Sequence, residues 1–144
     1  MTRKFIIATA IAAVLGGAAV PATANDVNIR QYGWGHSAGG AQTGWHNRVG
    51  IWQDGRRNSA ASHQTGNRNQ AVVGQEGRRN AVETYQTGNR NSAGVAQFGT
   101  NHTTILTQDG HGNITAGVQV GDGCSADIDQ QGNGNVAAFV QDCF

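Results

Sequence analysis

The sequence predicts an all-β fold: a β-solenoid of about five and a half 22-residue strand–turn–strand coils with two facing parallel sheets, preceded by a cleaved signal peptide. Three observations lead there. The phrase QTGNRN at 64–69 returns at 86–91, with QDGRRN at 53–58 and QEGRRN at 75–80 on the same beat. Small or aliphatic residues alternate with polar ones inside each unit, the period of a strand with one buried face. The first 24 residues have a different composition from all that follows.

Residues 1–24 begin with Arg3 and Lys4, run apolar from Phe5 to Val20 and close on Ala22-Thr23-Ala24, a small-x-small cleavage signature. This is the pattern of a secretory signal peptide. A transmembrane helix is the alternative, but the segment is barely long enough and nothing like it follows. The domains are therefore a signal peptide over 1–24 and a repeat solenoid over 25–144, and the mature chain is not membrane-spanning.

The repeat is strict. Glutamine stands at Gln31, Gln42, Gln53, Gln64, Gln75, Gln86, Gln97, Gln108, Gln119, Gln130 and Gln141. Two residues on comes glycine, at Gly33, Gly44, Gly55, Gly66, Gly77, Gly88, Gly99, Gly110, Gly121 and Gly132, until Cys143 takes the last place. Six residues before each glutamine stand Asn25, His36, Asn47, Asn58, Asn69, Asn80, Asn91, His102, Asn113, Cys124 and Asn135. An 11-residue period also suits a right-handed coiled coil. Glycine and asparagine recurring along the whole repeat rule that out, because their helix penalties accumulate.

Each unit instead reads as a strand followed by a Gly-x-x turn, with glycine free to take positive φ. Two units make one coil, so residues 22 apart lie above one another. That explains why the quoted phrase recurs at 22. Within a coil, Ile51 faces Ser62 and Val73 faces Thr84, large against small, as a thin core between two sheets requires. The asparagines and glutamines share the inward phase, where unpaired amides are costly. At the roughly 4.8 Å spacing of stacked strands, each amide is expected to donate to one neighbour and accept from the other, forming ladders.

Without the signal segment, eight arginines face nine acids, a formal charge of −1, which gives no electrostatic case for nucleic acid. The distribution is uneven. Residues 25–91 hold all eight arginines and four acids, a balance of +4, whereas residues 92–144 hold five acids and no Lys or Arg, a balance of −5.

The unit Q-x-G-x-x-N-x-A-x-x-x-Q, present as QDGRRNSAASHQ over 53–64 and QTGNRNSAGVAQ over 86–97, resembles the curlin repeat, and 25–42 looks like the opening repeat of a curlin subunit. The resemblance covers essentially all of 25–144. It implies a secreted structural subunit of curli, the functional amyloid fibres of bacterial biofilms and surface adhesion. Such a subunit is an extracellular pilus or fimbrium component at the bacterial surface. The implied partners are copies of the chain stacked end to end as a homopolymer, a curli nucleator and an outer-membrane secretion machinery. A minor, nucleating curlin is the alternative within the family. The chain departs from the family's major subunit in three ways: no targeting segment separates the cleavage site from the first repeat, the strand units number eleven, and there are two cysteines.

Other chemistry is thin. No histidine has ligand spacing to a cysteine or carboxylate, so neither a metal nor another cofactor is expected. Nothing marks an enzyme: there is no isolated catalytic constellation, P-loop, dinucleotide fingerprint or calcium-binding nonapeptide. The turn arginines Arg56, Arg57, Arg68, Arg78, Arg79 and Arg90 fit either anionic polymers or solvated turns. A soluble polymer- or ice-binding solenoid is the reading from another class, though the outward faces lack flat threonine arrays. Cys124 and Cys143 are an even pair in an exported chain, so a disulfide is the default. They lie on one edge, one coil apart. Intermolecular pairing would instead cross-link subunits.

Overall fold

The computed structural model describes residues 24–144, so the expected signal peptide lies outside the described residues apart from Ala24. Eleven strands follow in order: β1 (Asp26–Trp34), β2 (Ser37–Thr43), β3 (Arg48–Arg56), β4 (Ser59–Asn67), β5 (Gln70–Arg78), β6 (Ala81–Asn89), β7 (Ser92–Thr100), β8 (Thr103–His111), β9 (Ile114–Asp122), β10 (Ser125–Asn133) and β11 (Val136–Cys143). The odd strands form one sheet in the order β1-β3-β5-β7-β9-β11, and the even strands form the other, β2-β4-β6-β8-β10. Every pairing is parallel with a register of 22, so Gln53 pairs with Gln75 and Gly55 with Gly77. This is the β-solenoid that the period of the sequence requires.

The strands are longer than the alternation alone suggests. The ladder runs through the glycine and one residue beyond it, leaving two-residue arches such as Arg57-Asn58 between β3 and β4. The arches stay bonded from coil to coil: Arg57 N donates to Trp34 O at 2.8 Å, and Ser59 N to Asn80 O at 2.8 Å. Backbone groups that a two-residue turn leaves over are thus satisfied along the solenoid axis.

The core is a thin column between the sheets. Val49, Ile51, Ala60, Ala71, Val73, Val82, Ala93, Val95 and Leu106 form one buried cluster. Small residues are filled in by neighbours. A β-carbon on Gly40 would lie 3.5–3.6 Å from the methyls of Val49 and Val27. One on Gly117 would lie 2.0 Å from the ring of Phe139, one coil above, so Phe139 occupies the room that glycine leaves. In the middle coils polar positions match the apolar ones in burial: Gln53, Gln75, Gln97, Gln108 and Gln119 have no accessible surface.

Candidate functional site

Candidate functional features of a solenoid are rows, because each coil presents the same groups to the next. Glutamine makes the first row on each sheet. In the odd sheet Gln31 Nε2 donates to Gln53 Oε1 at 2.8 Å, Gln53 to Gln75 at 2.8 Å, Gln75 to Gln97 at 2.9 Å, Gln97 to Gln119 at 2.8 Å and Gln119 to Gln141 at 2.7 Å. The even sheet repeats this through Gln42, Gln64, Gln86, Gln108 and Gln130. The second amide proton goes to a backbone carbonyl across the core, as from Gln75 to Ser59 O at 2.9 Å. Thr104 and Thr115 reach across the core from the opposite sheet to bridge consecutive members of one row: Gln97 Nε2 donates to Thr104 Oγ1, which donates to Gln119 Oε1 at 2.9 Å. Thr115 does the same between Gln108 and Gln130. These threonines carry no sequence signal beyond sitting in a row otherwise held by Val and Ala.

The asparagines differ from the amide-to-amide ladder expected for them. Asn47, Asn58, Asn69, Asn80, Asn91, Asn113 and Asn135 stack in register, yet the backbone lies between successive amides. Each Oδ1 with a coil above it accepts the backbone N–H of the residue 22 on: Asn69 N donates to Asn47 Oδ1, and Asn91 N to Asn69 Oδ1, both at 3.0 Å. Each Nδ2 with a coil above donates to the carbonyl four residues back and to the glycine carbonyl 19 residues on. Asn91 thus reaches Thr87 O at 3.1 Å and Gly110 O at 3.0 Å. The tight arch turns its N–H toward the asparagine, and a main-chain donor in that place displaces the neighbouring side chain. Among the described residues no buried side-chain N or O lacks a partner.

Histidine substitutes for asparagine by matching this geometry. His102 has no exposed surface. Its Nδ1 accepts Cys124 N–H at 3.1 Å, which leaves Nε2–H to donate to Phe98 O at 3.1 Å. Only the neutral ring protonated on Nε2 serves both bonds. His36 makes the same pair with Asn58 N and Tyr32 O.

The glycine row explains why the phrase tolerates no other residue. At Gly33, Gly44, Gly55, Gly66, Gly77, Gly88, Gly99, Gly110 and Gly121, φ lies between +103 and +130, and an added β-carbon would fall 1.8–2.0 Å from the carbonyl oxygen of the coil above. Gly132 shares the φ, but no described coil lies above it, and only Asn135 Nδ2 comes within 4 Å, at 3.7 Å. A second conformational row follows two residues later. His46, Arg57, Arg68, Arg79, Arg90 and Asn101 take φ of 56–60, in line with Gly35, Gly112, Gly123 and Gly134 at 67–73. Of the turn arginines, Arg57, Arg68, Arg79 and Arg90 are therefore held in a conformation that costs an L-residue about 1 kcal/mol or more. Arg56 lies over the Trp34 ring at 5.2 Å.

Cys124 and Cys143 are joined in a disulfide with Cα atoms 5.7 Å apart and a sequence separation of 19. That separation is the one between each asparagine and the glycine carbonyl it bonds, such as Asn80 and Gly99. The cysteines hold an asparagine position and a glycine position, and a covalent bond stands where the other coils have a hydrogen bond.

Near this edge the Asp122 carboxylate accepts hydrogen bonds from Asn101 Nδ2 at 3.0 Å and Thr100 Oγ1 at 2.9 Å, which hold its carboxyl below the ordinary value. Elsewhere Glu83 accepts the Tyr85 hydroxyl at 2.8 Å and raises that phenol, whose ring stacks on His63. Among the described residues no three His, Cys, Asp or Glu side chains are grouped to hold a metal ion, and no helix is long and apolar enough to cross a membrane.

No curated protein sequence matches the chain. The family model described as the curlin associated repeat matches three times, over residues 22–55, 47–77 and 77–110, which together span more than half of the sequence. The glutamine row runs through all three matches and continues in the same register to Gln141 in β11, and the chain belongs to the curlin family.

Proposed function

We propose that the chain is a secreted structural subunit that stacks edge to edge into curli-like extracellular amyloid fibres, serving the biofilm matrix and surface adhesion. One observation carries this reading: the ladders end in unused groups of opposite kind. Among the described residues, Gln31 Oε1 and Gln42 Oε1 accept nothing, while each interior Oε1 accepts from the glutamine below. At the far end Gln141 and Gln130 spend one amide proton on Ser125 O and Ile114 O and hold the other free. Acceptors at the β1/β2 end and donors at the β10/β11 end match head to tail, whereas like ends meet acceptor to acceptor. The backbone edges are parallel strands with neither Pro nor Lys to blunt them. Export through the proposed signal peptide at 1–24 supplies the oxidising setting in which the disulfide persists.

A minor curlin that starts or ends fibres is the second reading, and the cysteines in two repeat rows favour it. Thioflavin fluorescence and electron microscopy of residues 25–144, alone and seeded with preformed aggregate, test the fibre function. Incorporation into fibres is expected. A monodisperse monomer at high concentration over days, unresponsive to seeds, overturns it.

A further inference from the structure

The two ends of the solenoid are not equivalent, and the difference lies in the covalent chemistry of the last coil. In every interior coil the residue two after glutamine hands the chain on by lacking a β-carbon: the carbonyl of the next coil sits 1.8–2.0 Å from where that carbon would be. The asparagine three residues further on hands it on by offering Oδ1 to the next N–H, as Asn58 does to Asn80 at 3.1 Å. On the edge that joins odd strands to even ones, both rows run intact to Gly121 and His102 and then stop at cysteine. Cys143 has a β-carbon. The Cys124 N–H donates to His102 Nδ1 below, but its side chain offers no nitrogen or oxygen acceptor above.

A residue at 143 has two options when a further coil arrives over β11. It takes the glycine φ and places its β-carbon against the incoming carbonyl, or it departs from that φ. Cys143 is not among the positive-φ residues. Its side chain is committed to Cys124, and the arch that positions a following coil is not formed. The spacing does not relax to make room, because the neighbouring Gln119–Gln141 bond at 2.7 Å fixes β11 at the common rise. At the opposite end the glycine row is unbroken and the one substituted row residue, His36, keeps the asparagine bonding pattern: the β1/β2 end presents the Gly33 and Gly44 carbonyls, Asn25 and the free glutamine acceptors.

We propose that the Cys124–Cys143 pair closes the β11 end of the solenoid, so that the chain docks its β1/β2 end on a curlin-repeat coil that keeps Gly and Asn in those two rows, but does not accept a second copy of itself over β11. The inference rests on the fibre reading and narrows it: the chain joins a growing fibre and slows or stops growth there.

Three proteins test it: wild type, C124N/C143G, which restores both repeat residues, and C124S/C143S, which removes the bond but keeps a β-carbon in the glycine row. Circular dichroism checks that each is folded. Elongation is read by single-fibre fluorescence microscopy on C124N/C143G seeds. The restored variant is expected to elongate at least about tenfold faster than wild type and C124S/C143S, the factor that ~1.4 kcal/mol of lost docking free energy produces. Wild type added in small amounts to growing variant fibres is expected to arrest them. Wild-type elongation at the variant's rate overturns the closed end and leaves the fibre function standing, as does C124S/C143S matching the restored variant. Absence of fibres from all three, with and without seeds, overturns both.

Discussion

Replacing Gln75 by alanine tests whether the glutamine row holds the coils together. Gln75 has no accessible surface. It accepts from Gln53 Nε2 at 2.8 Å, and donates to Gln97 Oε1 at 2.9 Å and Ser59 O at 2.9 Å. Alanine leaves one Gln53 proton and the Gln97 oxygen without partners and opens a space the size of an amide. Each buried orphan costs about 1–3 kcal/mol. The groups are coupled through one row, so their costs do not simply add, and a loss of about 3–5 kcal/mol is expected. That is a large share of the stability of a domain this size. Gln31→Ala is the internal control, because it lies on the exposed end of the row and makes one ladder bond. Glu83→Ala is the external control: Glu83 points outward, its one side-chain bond is to the Tyr85 hydroxyl, and such surface changes stay within about 0.5 kcal/mol. Urea unfolding of monomeric residues 25–144 gives the comparison from midpoints at constant slope. Equal midpoint shifts for Gln75→Ala and Glu83→Ala would refute the assignment of strand faces and the row with it.

Gly77→Ala is expected to abolish the cooperative fold, since its β-carbon would lie 1.9 Å from Gly99 O at φ +123, whereas Gly74→Ala, in open space, is expected to be tolerated; circular dichroism separates the two. His102→Asn is expected to retain native stability by restoring the repeat residue, and His102→Leu to lose about 2 kcal/mol or more through the unpaired Cys124 N–H and Phe98 O in thermal unfolding. Because Asp122 is held below its ordinary carboxyl value, its stabilising effect is present above the unfolded-state value and lost as pH falls through the lowered one, so Asp122→Asn should flatten the acid limb of a stability profile. Elongation of C124N/C143G fibres is expected to slow as salt rises, because in them the basic coils over 25–91 and the acidic coils over 92–144 meet head to tail; light scattering at graded ionic strength reads it, and faster growth in salt would point to apolar burial instead.

The architecture was legible because a solenoid writes its register into the sequence. An unbroken Gln row at 11 residues allows only one pairing at 22, and the eleven strands, their parallel sense and the two-sheet order follow. What the period does not carry is the direction of hydrogen bonds inside a layer. Glutamine, in the middle of a strand, meets only its own kind above and below. Asparagine, beside the arch, meets a main-chain N–H first. Periodicity treats the two alike, so the asparagine partners could be known only from the backbone of the turn. The left-handed arginines were hidden for the opposite reason. Gly35, Gly112, Gly123 and Gly134 share the conformation and mark its φ, but they lie on either side of an unbroken run of Arg57, Arg68, Arg79 and Arg90, whose side chains read as solvated turn chemistry.

The same symmetry makes departures from a row more informative than the row itself. Where neighbouring coils impose identical surroundings, a changed residue either reproduces the missing groups or alters what the coil passes on. His36 and His102 reproduce them, one ring nitrogen accepting in place of Oδ1 and the other donating in place of Nδ2. Thr104 and Thr115 add a second bridge between consecutive glutamines of the facing ladder without disturbing the stack. Cys124 and Cys143 do neither. They exchange an acceptor and a missing β-carbon, the two features a following coil needs, for a bond directed back into the coil below. A disulfide that only secured the last coil, at about 3 kcal/mol on the loop-closure model, could have joined outward-facing side chains on adjacent strands. Its placement in the two rows that pass the chain upward ties the stability of the last coil to the closing of that end.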